Sequence, residues 1–461
     1  MRKRTGEEKL ENQSLAGDFT TGSIPKKLIK FMLPILGALI LQAMYGAVDL
    51  LIVGQFGTDA GISGVATGSN VINLVTFICV AMTMGVTVII GQHLGEERPE
   101  KISETIGGAI WFFAISAVAI AILLLIFAPQ CAMLLNAPEE AFDLTVQYVR
   151  ICGVGMIFVV AYNFISAVFR GLGNSKFPLL FVFIACCANI VGDLLFVAVF
   201  DMNVAGAALA TIMAQAISVL LSLIIIKKQK LPFHFRPKDI RYNAEVPAFL
   251  KVGAPIAFQE LITNGSFLVI LAIVNQLGLD ASSGYGIAQK IVSFVLLIPS
   301  ALMQSMSAFV AQNVGAGLEN RSRKAMLMGM LFGVLIGVPV FLFNYFAGDL
   351  PAQLFTGNAA FVAQAADYLR GFSPEAILTA FVFSFIGYFS GHGKTIPVML
   401  QGVTASLCFR IPLTYLFSLA ETPSLVTIGT AAPLASVYGI LFFGLWFLVF
   451  TRKMKKQAEV L

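Results

Sequence analysis

Charge is scarce in this chain. Asp, Glu, Lys and Arg together make up 12% of the 461 residues while 58% are hydrophobic, and the mean hydropathy is +0.86, a balance that excludes a water-soluble globular protein. Histidine is nearly absent. The three copies, His93, His234 and His392, stand far apart in expected cytoplasmic turns and read as solvated loop residues rather than zinc ligands. The six cysteines, Cys79, Cys131, Cys152, Cys186, Cys187 and Cys408, form no CxxC pair and fall mostly in apolar stretches, where a thiol behaves as a small apolar group. Neither a disulfide framework nor a metal cluster is implied. No GxxxxGK[ST] loop is present, so ATP-driven work would require a partner protein. No nucleophile–base set, acid pair or metal signature is placed at one membrane surface, which argues against a membrane enzyme and implies no cofactor. There is also no basic, aromatic-interleaved soluble module. The net charge of +5 is accounted for by loops against anionic lipid headgroups, without a nucleic-acid partner.

What the chain has in abundance is apolar runs long enough to cross about 30 Å of hydrocarbon as helices. About twelve are expected, near 31–53, 62–92, 102–128, 147–169, 177–199, 205–226, 248–275, 282–312, 325–347, 367–390, 397–419 and 432–451. The fold class is therefore all-α integral membrane. An even number of spans puts both termini on one side. Of the 30 Lys and Arg residues, 26 fall in one alternating set of segments, which that bias makes cytoplasmic. The opposite side keeps only Arg150, Lys290 and Arg370, and Arg410 lies inside a span. A multi-pass protein of a cytoplasmic, or inner, membrane is expected. The N-terminal stretch is too charged for the apolar part of a signal peptide, and the first helix is expected to stay attached.

The chain repeats itself. Gly91-Gln92-His93-Leu94-Gly95 recurs as Ala311-Gln312-Asn313-Val314-Gly315, with Gln92 and Gln312 separated by 220 positions. Tyr148-Val149-Arg150 recurs as Tyr368-Leu369-Arg370, and Phe169-Arg170-Gly171-Leu172-Gly173 as Phe389-Ser390-Gly391-His392-Gly393. A six-helix unit is thus duplicated in parallel, giving two lobes related by a pseudo-twofold axis along the membrane normal. The expected divisions are an N-terminal segment 1–30, a first lobe 31–226, a linker 227–247, a second lobe 248–451 and a tail 452–461. The linker is basic and proline-containing, as befits a cytoplasmic surface connection. Segments 129–146 and 349–366 are expected as short interfacial helices.

Within the spans, a few polar residues carry the chemistry. Asp49 interrupts the first apolar run, and an acid in hydrocarbon is a functional candidate by default. Asp193, in the fifth span, lies at a similar outer depth; Asn189 is one turn below it on the same face, and Thr211 enters from the outside in the sixth span. Two carboxylates in a low-dielectric bundle do not both ionise readily, so together they form a proton site. The structural alternative is that these groups only fix helix packing. Pro34 weakens the first helix on the cytoplasmic side of Asp49 and marks a conformational hinge, with Pro255 as its repeat counterpart. In the second lobe Gln259, Glu260 and Arg410 are candidate substrate or ion contacts. Glu260 or Glu375 is expected to pair with Arg410, because a buried ion pair relieves the cost of each charge alone.

These motifs resemble the multidrug and toxic compound extrusion (MATE) transporters over nearly the whole chain after residue 25. The resemblance rests on Pro34 with Val48-Asp49-Leu50 and Val53-Gly54-Gln55-Phe56-Gly57, and on Ala288-Gln289-Lys290 through Ser307-Ala308-Phe309-Val310-Ala311-Gln312-Asn313-Val314-Gly315-Ala316-Gly317. Asn189, Asp193 and Thr211 beside Asp49 resemble the DinF-like branch, whereas the NorM-like branch places acids in the seventh and tenth helices. Glu260 keeps ion coupling in the second lobe open. The resemblance implies a secondary antiporter that exports amphipathic or cationic organic compounds in exchange for protons, by alternating access between two lobes. Sodium remains open as the coupling ion. A lipid-linked precursor flippase of the same superfamily is a further alternative. Small organic substrates and membrane lipids are the expected partners, and a functional monomer is expected.

Overall fold

The computed structural model describes residues 16–228, 231 and 233–460. Parts of the expected N-terminal segment 1–30, linker 227–247 and tail 452–461 therefore lie outside the described residues. Nearly all of the described chain is helical, because a backbone in hydrocarbon must satisfy its own N–H and C=O groups. The first half runs α1 (Ile24–Phe56), α2 (Asp59–Gly95), α3 (Pro99–Leu134), α4 (Glu139–Gly171), α5 (Lys176–Asp193) and α6 (Asn203–Lys228), with the π-helical turn Leu194–Val199 continuing α5. The second half runs α7 (Glu245–Asn275), α8 (Leu279–Val295), α9 (Leu297–Gly315), α10 (Glu319–Ala347), α11 (Asp349–Gln353), α12 (Ala359–Phe372), α13 (Glu375–Gly391), α14 (Thr395–Thr404), α15 (Ile411–Ser418), α16 (Leu425–Gly429) and α17 (Ala431–Val460). A second π-helical turn, Ala405–Arg410, joins α14 to α15.

Eleven helical stretches are long and apolar enough to cross a membrane, and α12 with α13 makes a twelfth when counted as one bent span. The bend is 49°. It falls at Ser373-Pro374, where the proline lacks the N–H that would continue the helix. Large apolar side chains stand open on outer faces, among them Ile126 at 58%, Leu220 at 60% and Leu445 at 67% exposure. In water such surfaces aggregate; against acyl chains they are at home.

Two sequence expectations are corrected here. The segment 129–146 contains no separate interfacial helix, because α3 continues to Leu134 and α4 already begins at Glu139; of its counterpart, only the five-residue α11 is separate. The helix α3 carries on through Pro129, and the turn to α4 takes only residues 135–138. His93 and His392 are also not solvated loop residues. His93 Nε2 lies 2.9 Å from Glu245 Oε2, and His392 Nε2 lies 2.7 Å from Glu319 Oε2. Each sits at a helix end where an acid opens another helix, a pairing that sequence separation conceals.

The described chain divides into two compact units. The first extends to Ala257 and takes in Ala311–Leu318; the second comprises Phe258–Val310 and the chain from Glu319 onward. In the first unit, α2 and the end of α9 meet through the duplicated Gln-x-x-Gly. A methyl group on Gly95 would come within 2.0 Å of the Gln312 carbonyl oxygen, and one on Gly315 within 2.0 Å of the Gln92 carbonyl oxygen. The contact is reciprocal, and both positions need glycine for close approach of the backbones. The chain before α1 straps this region. Gly17 N–H donates to the Leu172 carbonyl at 2.8 Å, Gln312 Nε2 donates to the Gly17 carbonyl at 2.9 Å, and Asn313 Nδ2 donates to the Phe19 carbonyl at 3.2 Å. Phe19 is buried edge-on against Phe31, with ring centroids 4.9 Å apart. Partial burial pushes the Asp18 carboxyl up. Hydrogen bonds from Thr20, Thr21 and Lys27 outweigh that and hold it well below the usual carboxylate range.

Candidate functional site

In the first unit, α1 packs on α5, α5 on α6, and α4 on α6. Asp49 is on the buried stripe of α1 with Ile52 and Val53, and only 4% of it is exposed. The last residue of α5 is Asp193, and Asn189 is one turn earlier; both are wholly buried. Thr211, buried on α6, donates from Oγ1 to Asp49 Oδ2 at 3.3 Å. Asp193 and Asn189 stand close beside the Asp49 carboxylate. All four residues expected from the sequence are therefore brought together.

The group is under-satisfied. Asp49 Oδ1, both oxygens of Asp193 and both polar atoms of the Asn189 carboxamide are buried without a directed hydrogen bond. Leaving such atoms unpaired costs about 1–3 kcal/mol each, more for a charge. Buried polar atoms in such number ordinarily find a partner, whether a water, a proton or an ion. The backbone beside the group is also irregular. Immediately after Asp193 the helix switches to the wider π form, with Phe200 N–H bonded back to the Leu195 carbonyl at 2.9 Å. Insertions of this kind concentrate at functional sites, where they re-aim the side chains beside them.

Sequence reasoning missed four neighbours. Tyr45 is one turn before Asp49, and its hydroxyl accepts a hydrogen bond from Gln215 Nε2 at 3.4 Å. Gln215 is in turn one helical turn beyond Thr211. The signal was available, since both pairs have the i, i+4 spacing of side chains that stack on one face. Tyr148 and Cys152 of α4 also stand near the Asp49 carboxylate. Pro34 lies inside a continuous α1, fifteen residues before Asp49.

The second unit does not form the expected ion pair. Asn264 Nδ2 donates to the Glu260 carbonyl at 2.8 Å and to its Oε2 at 3.4 Å. Arg410 instead donates from Nη1 to Ser266 Oγ at 3.4 Å and lies over the Phe267 ring, 4.9 Å from its centroid. Neither Glu260 nor Glu375 reaches Arg410 within ion-pair distance, and Glu375 Oε1 accepts from Ser436 Oγ at 2.7 Å. The reason is register. Glu260 and Phe267 are seven residues apart on α7, about 10 Å along the axis, and the guanidinium docks at the Phe267 end. Gln259 is buried against Gly402, with its Oε1 unpartnered. Among the described residues, no group of three or more His, Cys, Asp or Glu side chains could hold a metal ion.

Comparison with known proteins decides the family. The MatE family model matches residues 34–195 and again 255–416. The chain belongs to the MATE transporter family. The two matches begin 221 residues apart, close to the spacing of the internal repeat. YpnP of Bacillus subtilis (strain 168), named a probable multidrug resistance protein, is 28% identical over 87% of this chain and 90% of its own length. The multidrug export protein MepA of Staphylococcus aureus (strain bovine RF122 / ET3-1) is 24% identical over 84% of this chain and 86% of its own. Among solved structures, a MOP superfamily transporter from Pyrococcus furiosus superposes with a TM-score of 0.89 at 19% identity, covering 98% of this chain and all of that one. The MATE-family chain is thus a transporter, not an enzyme, with the twelve-helix, two-lobe fold of its neighbours.

Proposed function

We propose that this MATE transporter is a secondary active multidrug efflux antiporter that exports amphipathic or cationic organic compounds in exchange for protons, by alternating access. The reading is of the DinF-like kind, with lobes 31–226 and 248–451 joined by the linker 227–247. The observation that carries it is the buried, under-satisfied pair of carboxylates, Asp49 and Asp193. One proton shared between them removes the repulsion of two buried anions, and its loss restores that repulsion. In this scheme Asp49 exchanges the proton and Asp193 shares it. Asn189 and Thr211 hold the two acids in register. Pro34 interrupts the hydrogen bonding of α1 on the cytoplasmic side of Asp49, so a change of charge at Asp49 bends the helix there. The multidrug names of YpnP and MepA support organic substrates. The distribution of Lys and Arg supports a cytoplasmic membrane location with both termini inside, and a monomer suffices for the scheme.

The same oxygens support a second reading. Thr211, Asn189 and the two carboxylates could together coordinate sodium, which needs several ligands at once, whereas a proton needs one carboxylate. Everted vesicles separate the two. With sodium absent, an imposed proton gradient is expected to drive uptake of an organic cation such as ethidium, and dissipating the gradient to stop it. Strict sodium dependence without response to protons would overturn proton coupling.

A further inference from the structure

Two ionisable groups of the second unit, Glu260 and Arg410, lie inside spans and close no ion pair among the described residues. Glu260 is half-buried on α7, and its Oε2 accepts from the carboxamide of Asn264 one turn on. Arg410 is half-buried at the end of the π-helical turn, held by Ser266 Oγ and by the face of Phe267, and its Nε is unpartnered. Glu375 is close enough to be felt by Arg410 but is turned to Ser436. Bare charges within a bilayer are costly and persist where a ligand or an aqueous passage answers them. Here the two charges have opposite sign and share a line. Glu260, Asn264 and Phe267 fall at i, i+4 and i+7 on one face of α7, and Arg410 caps the far end. The line thus runs from anion through amide and aromatic ring to cation over about 10 Å.

We propose that this line is a binding site for zwitterionic aromatic amphiphiles. The substrate's ammonium or other cationic group meets Glu260, its aromatic body lies along Phe267, and its carboxylate or comparable oxyanion is taken by Arg410. A guanidinium fits such a group better than an ammonium because its donors are fixed in a plane. The π-helical turn is what directs Arg410 there, widening the helix at the residue that must reach across to α7. The proposal deepens the reading of the protein as an exporter of organic amphiphiles, and rests on it for the substrate class. It adds a preference that the first-unit carboxylates, being anions alone, do not supply.

A matched pair of dyes tests the site. Rhodamine 110 carries a free carboxylate, and rhodamine 123 is its methyl ester, so the two differ only in the group assigned to Arg410. Binding is read by fluorescence anisotropy, with the purified full chain in nanodiscs of phosphatidylglycerol. Wild type should prefer rhodamine 110 by roughly tenfold, the scale of one charge-assisted hydrogen-bonded pair. Arg410→Gln should collapse that ratio toward one, Arg410→Lys should keep part of it, and Glu260→Gln should weaken both dyes alike. Should Arg410→Gln fail to insert, Arg410→Lys carries the test through the same ratio, while Phe267→Leu should weaken both dyes alike. An unchanged ratio in the Arg410 variants, or no preference in wild type, would overturn the proposal. Displacement of rhodamine 110 by added phosphatidylethanolamine would equally overturn the aromatic substrate in favour of a lipid headgroup. Loss of gradient-driven export with the preference intact would sink the coupling scheme and leave this site standing.

Discussion

The two regions of buried charge obey opposite rules. Around Asp49, charges of like sign are gathered from α1 and α5, with one hydrogen bond from Thr211 and little else to satisfy them. Along α7, charges of opposite sign are kept apart, Glu260 at one end and Arg410 at the other, each answered by a neutral side chain. Stability alone would favour the reverse arrangement, with acids separated and the acid–base pair closed. On the proposed reading, forgoing both gains keeps the first region sensitive to a proton and the second open to a dipolar guest. The two halves of the repeat would then have diverged at a few side chains toward different electrostatic tasks.

The largest expected effect breaks the first region. Asp49→Asn keeps the shape of the side chain and removes the exchangeable charge, so the variant should insert normally while gradient-driven export falls by roughly a hundredfold, about 3 kcal/mol. Normal export would remove Asp49 from the coupling scheme. Asp193→Asn should cost less, because Asp49 still titrates. The double variant should then be little worse than Asp49→Asn, a departure from additivity of about 1–3 kcal/mol. Strict additivity in the transport free energies would mean that the two acids do not share one proton.

Much of this was legible in the sequence, for a physical reason. Hydropathy reports spans because the bilayer is a uniform solvent, and the repeat reports itself through Gln92 and Gln312 without any structure. Asp49, Asn189, Asp193 and Thr211 were identifiable because polar groups in apolar runs are few. What stayed hidden depends on register between helices. The separation of Glu260 from Arg410 turns on which residue of α7 faces the π-helical turn, and no pattern within α7 encodes that. The π-helical turns themselves are equally silent, since Leu194–Val199 and Ala405–Arg410 are composed like ordinary helix. His93 and His392 looked like loop residues because their acid partners, Glu245 and Glu319, are distant in sequence.

A smaller effect asks whether the repeat is mechanically equivalent where it is chemically divergent. Gly95 and Gly315 make the same contact from opposite sides, each against the backbone carbonyl of the other's glutamine. Alanine at either position must push two helices apart, an overpacking cost of about 1–3 kcal/mol. Thermal unfolding in detergent should therefore show similar losses for Gly95→Ala and Gly315→Ala, with the double variant less than additive because one displacement relieves both clashes. Clearly unequal losses would show that the reciprocity seen in the backbone is not an energetic one.

The smallest expected quantity is a coupling near zero, and it bears most directly on the contrast between the two regions. If Glu260 and Arg410 are as independent as their partners indicate, the unfolding free energies of Glu260→Gln and Arg410→Gln should add, with an interaction below about 0.5 kcal/mol. A closed ion pair would behave differently. Removing one member would strand the other, and the second substitution would then recover much of the loss, giving an interaction of several kcal/mol by the usual behaviour of buried pairs. The measurement is clean in the absence of a dye, because a zwitterion bridging both groups would itself introduce coupling. Adding rhodamine 110 should therefore turn an additive cycle into a non-additive one. A large interaction without dye would mean that the two groups pair directly, and the second region would then follow the ordinary rule for buried charge after all.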